Sequence, residues 1–289
     1  MTPRIQSPKL RRAQLLHWAN MVRPSPSALF VCGAIALAAG VGIMARSAAG
    51  SEKGDNAVPP DAARLGFTVV GPRVNGIAML DATQPFRIEL THGAVHGTPA
   101  QGPRLALTRA VVTRELERYP RKFLDAIHMR GIVFIDELHE GETSIPSLPN
   151  VAGLLLLDIS GTESDLTRGL HHEIFHFADL ADDGTMSPDA PWDALNGPGF
   201  AYGAGGRTLR AAWAAGPLDP FMSGGFVSSY ATSGVEEDKA ETFAFAVARP
   251  AQVRARAAAD PVLTAKLAEL ERRVGKMDPD APRALGLSR

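Results

Sequence analysis

Apolar and polar positions first follow strand-length runs along this chain and then change to helical spacing. Residues 67–70, 76–80 and 86–91 are short β-like runs, broken by Gly71-Pro72 and by Thr83-Gln84-Pro85. Leu105, Ala110, Val111, Val112 and Leu116 predict a helix over 105–119, and Pro120 ends it or starts the next short helix. Residues 131–135 read as a buried strand, followed by a loop carrying Gly141, Pro146 and Pro149. Residues 152–158, with four consecutive leucines, read as a further strand, either the edge of the sheet or buried inside it. Leu166, Leu170, Ile174, Phe175 and Phe177 then mark a helix, with a capping box at Thr162-x-x-Asp165 and a stop at Asp182-Asp183-Gly184. The region 183–227 is rich in Gly and Pro and carries Trp192, Phe200, Tyr202, Trp213, Phe221 and Phe226, each expected to pack locally. A last set of helices begins at Ser233 or Gly234, pauses at Arg249-Pro250, and continues through 251–277 with a break near Pro261.

One run departs from this pattern. Residues 27–45 are uncharged throughout and long enough to cross a bilayer as a helix, and basic residues precede them. They predict an uncleaved transmembrane anchor with the body outside the cytoplasm. Ser47-Ala48-Ala49 offers the alternative of a cleaved signal segment and an exported body. The single cysteine, Cys32, lies inside this run, so no intrachain disulfide can form. The formal net charge of −1 hides an asymmetry, because residues 1–46 hold six basic residues and no acid. The remainder is acidic, which argues against general nucleic-acid binding. With 289 residues and 45% apolar content, the chain has enough material for a sizeable core.

The candidate chemistry lies in the central helix, at His172-Glu173-Ile174-Phe175-His176. One helical turn puts His172 and His176 on the same face, where both imidazoles can bind a single zinc ion, and Glu173 borders the open position. Zinc lowers the pKa of a water it holds toward ~7, and Glu173 is placed to take the proton as general base. A catalytic zinc site requires a third protein ligand. Asp179 and Asp182 stand where a metzincin would have Gly and His, which excludes that class. Downstream, Glu237 and Glu241 are one turn apart with small Ala240 between them. Glu237 can serve as the third ligand, and Glu241 can hydrogen-bond the outer nitrogen of a ligand histidine. Glu236 is the rival ligand, while His171 and Asp179 are expected to make structural hydrogen bonds.

At these residues the chain resembles the gluzincin metallopeptidases, whose H-E-x-x-H motif is followed on a later helix by E-x-x-[AS]-[DE]. It is most similar to zinc-binding peptidases of the anthrax-lethal-factor-like and Pro-Pro endopeptidase group, where a tyrosine precedes the ligand glutamate by seven residues, as Tyr230 precedes Glu237. The resemblance covers roughly 120–250. It implies an α+β zincin-like fold, one zinc ion on His172, His176 and Glu237, Glu173 and Tyr230 as catalytic residues, and Glu241 behind the ligands. In zincins the order helix, strand, strand, motif helix leaves the strand nearest the site as an edge that can pair with an extended peptide.

The organisation expected is a cytoplasmic basic segment 1–26, a transmembrane segment 27–45, a linker 46–65, a catalytic domain 66–278 and a tail 279–289. The function expected is a zinc metalloendopeptidase acting on protein or peptide outside the cytoplasm. A zinc amidase acting on cell-envelope amides, or a catalytically weak zinc-binding interaction module, are the alternatives.

Overall fold

The structure, a computed structural model, describes residues 60–90, 93–203, 205 and 224–288. The apolar segment 27–45, Cys32, Trp213 and Phe221 lie outside them. Among the described residues no helix is long and apolar enough to cross a membrane.

A mixed sheet is built around the long strand β5 (Gly131–Glu140), with helices packed mainly on one face. Its first half alternates apolar residues to both faces and is flanked in parallel by β2 (Ala78–Ala82) and β8 (Leu154–Asp158). Its second half pairs antiparallel with β4 (Gly93–Pro99), on the β2 side, and with the short β6 (Thr143–Ser144). β1 (Phe67–Val69) adds to β2, and β3 (Phe86–Leu90) adds to β4. The outermost strand beyond β8 is β7 (Ser147–Val151), antiparallel to it.

This arrangement decides between the two readings of residues 152–158. Of edge strand and buried strand, the second holds: β8 is buried along its length and paired on both sides. The edge is β7, in a stretch that reads as loop because it contains Pro149 and Asn150. Proline lacks the N–H that a central strand would need, so an edge strand is where it is tolerated.

Side chains on the two faces of the sheet divide the core. Met79, Ile132, Phe134, Leu155 and Leu157 face the helices. Leu80, Val133, Ile135, Leu154 and Leu156 face the opposite layer, where Val95, Phe67 and Leu148 cover them. The covering helices are α2 (Gly102–Leu116), α3 (Arg121–Ala126), α4 (Glu163–Asp183), α6 (Val235–Ala248), α8 (Pro261–Met277) and the short α9 (Ala281–Ala284). α1 (Pro60–Arg64), α5 (Ala190–Asp193) and α7 (Pro250–Ala257) complete the set.

The body extends past its expected limits at both ends. α1 forms within the expected linker, with Ala62 buried in the layer beneath the sheet. Ala281 and Leu285, in the expected tail, are fully buried against the helical core. In both places a few apolar residues suffice to dock the segment.

Candidate metal centre

The site is made where α4 crosses α6. α4 starts at a closed capping box: the Thr162 hydroxyl accepts from Asp165 N, and Asp165 Oδ2 accepts from Thr162 N at 3.1 Å. It ends at Gly184, whose φ of 85° is the left-handed conformation that glycine adopts without a Cβ penalty. α6 begins after extended Gly234 and ends at Arg249, before Pro250. The helices lock together through apolar contacts such as Phe175 on Phe243, with ring centroids 5.0 Å apart, and buried Ala240 lets them approach closely.

At the crossing, His172, His176 and Glu237 each direct one donor atom into a common space, with all three atoms within 4.8 Å of one another. His172 Nε2 and His176 Nε2 are 3.0 Å apart. Glu237 Oε2 lies 3.1 Å from the first and 3.6 Å from the second, yet it hydrogen-bonds to neither. Three donor atoms this close to one another can share one ion. The donor set of two imidazoles and one carboxylate is that of a catalytic zinc site and could hold a metal ion.

Electrostatics favours a cation there. Burial opposes charge on His172, but the neighbouring carboxylates of Glu237 and Glu241 outweigh burial and push its pKa up to about 10. Burial also opposes charge on Glu237, and the two imidazoles still hold its carboxyl well below the ordinary range. The field of the carboxylates thus draws a positive charge between them, and a divalent cation satisfies the same field as a proton.

Behind the ligands, Glu241 Oε1 accepts from His172 Nδ1 at 3.0 Å, which leaves Nε2 as the electron-pair donor. Its other oxygen is held by Arg168 Nη1 at 2.8 Å and by the Ser228 hydroxyl at 2.6 Å. Arg168, one turn before His172 on α4, is fully inside the protein. Its helical register with His172 was the available signal for it, and Ser228 had none.

Glu173 is fixed from the opposite direction. Ser147 Oγ, at the start of β7, donates to Glu173 Oε1 at 2.6 Å, while Oε2 is buried with no hydrogen-bond partner among the described residues. Tyr230 starts a 3-10 turn (Tyr230–Thr232) and packs against His172, with ring centroids 6.0 Å apart. Burial, reinforced by Glu237 and Glu173, holds its phenol protonated, so the hydroxyl keeps its proton to donate.

The other candidates point elsewhere. Glu236 is outside the donor cluster, and its carboxylate folds back over the start of α6, where a Cβ on Gly234 would lie 2.5 Å from Oε1. His171 Nδ1 and the Tyr119 hydroxyl are 2.6 Å apart, and Glu115 Oε2 lies 3.2 Å from Nε2, away from the ligands. Asp179 accepts from Lys239 Nζ at 2.8 Å. Trp192 and Tyr202 donate to Asp238 at 2.8 and 2.6 Å, so the described aromatics serve packing and the polar core.

No family model matches the chain, and no curated protein matches it either. Among solved structures, a crystal structure of a "putative zinc-binding metallo-peptidase" from Bacteroides caccae is similar, with a TM-score of 0.43 and 18% identity. The similarity covers 64% of this chain and 75% of that one.

Proposed function

We propose that this chain is a zinc-dependent metalloendopeptidase of the gluzincin type, with His172, His176 and Glu237 holding one zinc ion. The observation that carries the reading is the convergence of three donor atoms, His172 and His176 on the helix that also carries Glu173, whose buried Oε2 has no hydrogen-bond partner among the described residues. Zinc bound there supplies Lewis acidity, polarising a peptide carbonyl and making water nucleophilic near neutral pH.

The chain's own groups supply the rest. Glu173 Oε2 accepts a proton from the attacking water and returns it to the leaving amine. The Tyr230 hydroxyl donates to the oxygen that gains charge as the carbonyl is attacked. Glu241, held by Arg168 and Ser228, keeps the His172 ring in its donor orientation. β7, the outer strand, begins at the residue bonded to Glu173, so an extended peptide added to its free edge would run past the base. That edge favours a peptide substrate over a compact amide.

The seven-residue spacing from Tyr230 to Glu237 supports the lethal-factor-like and Pro-Pro endopeptidase branch. The basic residues before the apolar segment 27–45 support a membrane-anchored enzyme with its site outside the cytoplasm. The test is a peptide library incubated with the body from residue 60 onward, with zinc and with chelator. Zinc-dependent cleavage lost in Glu173→Gln is the expected result. Cleavage that survives both chelation and Glu173→Gln overturns the proposal.

A further inference from the structure

The two oxygens of Glu173 are in unequal positions. Oε1 accepts a 2.6 Å bond from Ser147, and Oε2 has no hydrogen-bond partner among the described residues although it is buried. A buried carboxylate oxygen without a donor is costly, so the side chain should turn to find one unless its other oxygen is held. Ser147 is itself nearly buried, and β7 fixes its backbone by pairing it with Leu157. Among the described residues, nothing else hydrogen-bonds to the Glu173 carboxylate.

We infer that Ser147 is a positioning residue for Glu173: its hydroxyl pins Oε1 so that Oε2 alone faces the metal centre as the proton acceptor. The inference deepens the peptidase reading and rests on it for the role of Oε2. It also joins base and substrate to one element. β7 would align an extended peptide along its outer edge, and the same strand orients the base, so one rigid segment registers both. A general base held within a few tenths of an ångström of the attacking water is worth more than one that samples several rotamers.

The test combines turnover with a stability cycle. If the peptide library is cleaved, Ser147→Ala should lower kcat about ten- to a hundredfold, the scale of one hydrogen bond to a charged group, with KM within about twofold. Zinc content should match the parent, Ser147→Thr should retain most of the rate, and Ser147→Ala should cost nothing further in a Glu173→Gln background. A kcat within twofold of the parent, or a full additional loss in that background, overturns the inference.

Unfolding of Ser147→Ala, Glu173→Ala and the double variant gives a readout that needs no substrate. The double variant should lose less than the sum of the singles, and additive losses overturn the inference. A library left intact by the parent protein defeats the peptidase reading, and the cycle still decides whether Ser147 holds Glu173. Should Ser147→Ala not fold, Ser147→Cys, similar in size with a much weaker donor, replaces it.

Discussion

The two sides of α6 carry similar residues to different ends. On the side facing α4's histidines, Glu237 and Glu241 are met by Arg168 and two imidazoles and Glu173 by the Ser147 hydroxyl, and one oxygen each of Glu173 and Glu237 has no hydrogen bond among the described residues. On the far side, Asp238, Asp179 and Asp189 each meet a lysine or arginine. Lys266 reaches Asp238 at 2.6 Å, Lys239 reaches Asp179 at 2.7 Å and Asp189 at 2.9 Å, and Arg273 reaches Asp189 at 2.7 Å. Buried acids that each face a lysine or arginine are consistent with architecture. Buried imidazoles and a carboxylate gathered around a point, with no lysine or arginine of the described residues on that carboxylate, are consistent with a ligand site.

Removing charge from the two sides should therefore fail differently. The largest effect is expected for Glu237→Ala, which takes away one of three donors and should abolish zinc retention and turnover together. Chelation should lower the melting temperature of the parent protein, by about 4 kcal/mol of stability if zinc is present at a thousandfold over its Kd, and should leave Glu237→Ala unmoved. An equal chelator response in both would remove Glu237 from the centre. Next comes Glu173→Gln, where turnover should fall about 10²- to 10⁴-fold while zinc content and melting temperature stay close to the parent values. A parallel loss of zinc would make Glu173 a ligand and not a base.

On the far side the expected damage is to folding. Lys266→Met keeps the length of the side chain but leaves Asp238 buried and uncompensated, so the protein should lose about 3–5 kcal/mol of stability. The folded fraction should still bind one zinc per chain, and adding Asp238→Asn should restore part of the loss. A Lys266→Met protein that is stable but without zinc would tie this network to the site. Tyr230→Phe returns to the near side with a smaller change. Loss of one donor to the developing oxyanion should cost about 2.7–4 kcal/mol in kcat with KM nearly constant. A lowered melting temperature with normal kcat would show that the tyrosine only packs.

Local signals made the near side legible in the sequence. The capping box at Thr162 and Asp165, Gly184 and Pro250 act within a few residues of where they stand, so the bounds of α4 and α6 could be read directly. Helical periodicity then put His172 with His176 and Glu237 with Glu241, and the two helices bring them together. The far side was not legible. Asp238 and Lys239 sit in an acidic run that looks solvated, and their partners Lys266, Asp179, Asp189 and Arg273 come from distant positions that only tertiary packing brings close. β7 was hidden for the same reason, since its pairing with β8 is tertiary and its own sequence carries turn residues. The single serine that contacts Glu173 was hidden with it.

The smallest expected effect separates the two sides by acid. Burial by itself would raise the pKa of Asp189, but Arg273 and Lys239 prevail and hold it well below the ordinary carboxylate range. A carboxyl with a lower pKa in the folded than in the unfolded chain adds stability that is complete above pH ~4, where the unfolded group ionises. That stability drains away as the pH falls further toward the folded value. Asp189→Asn should therefore be less stable than the parent at pH 7, by about 1.5–3 kcal/mol, the scale of hydrogen bonds to a charged group. The gap should stay constant down to pH ~4 and narrow below it. Both proteins are to be measured free of metal, so that zinc released in acid does not enter the difference. A gap that is constant to pH 2 would mean that Asp189 matters for shape and not for charge, and the far side would then resemble the near side more than the paired distances suggest.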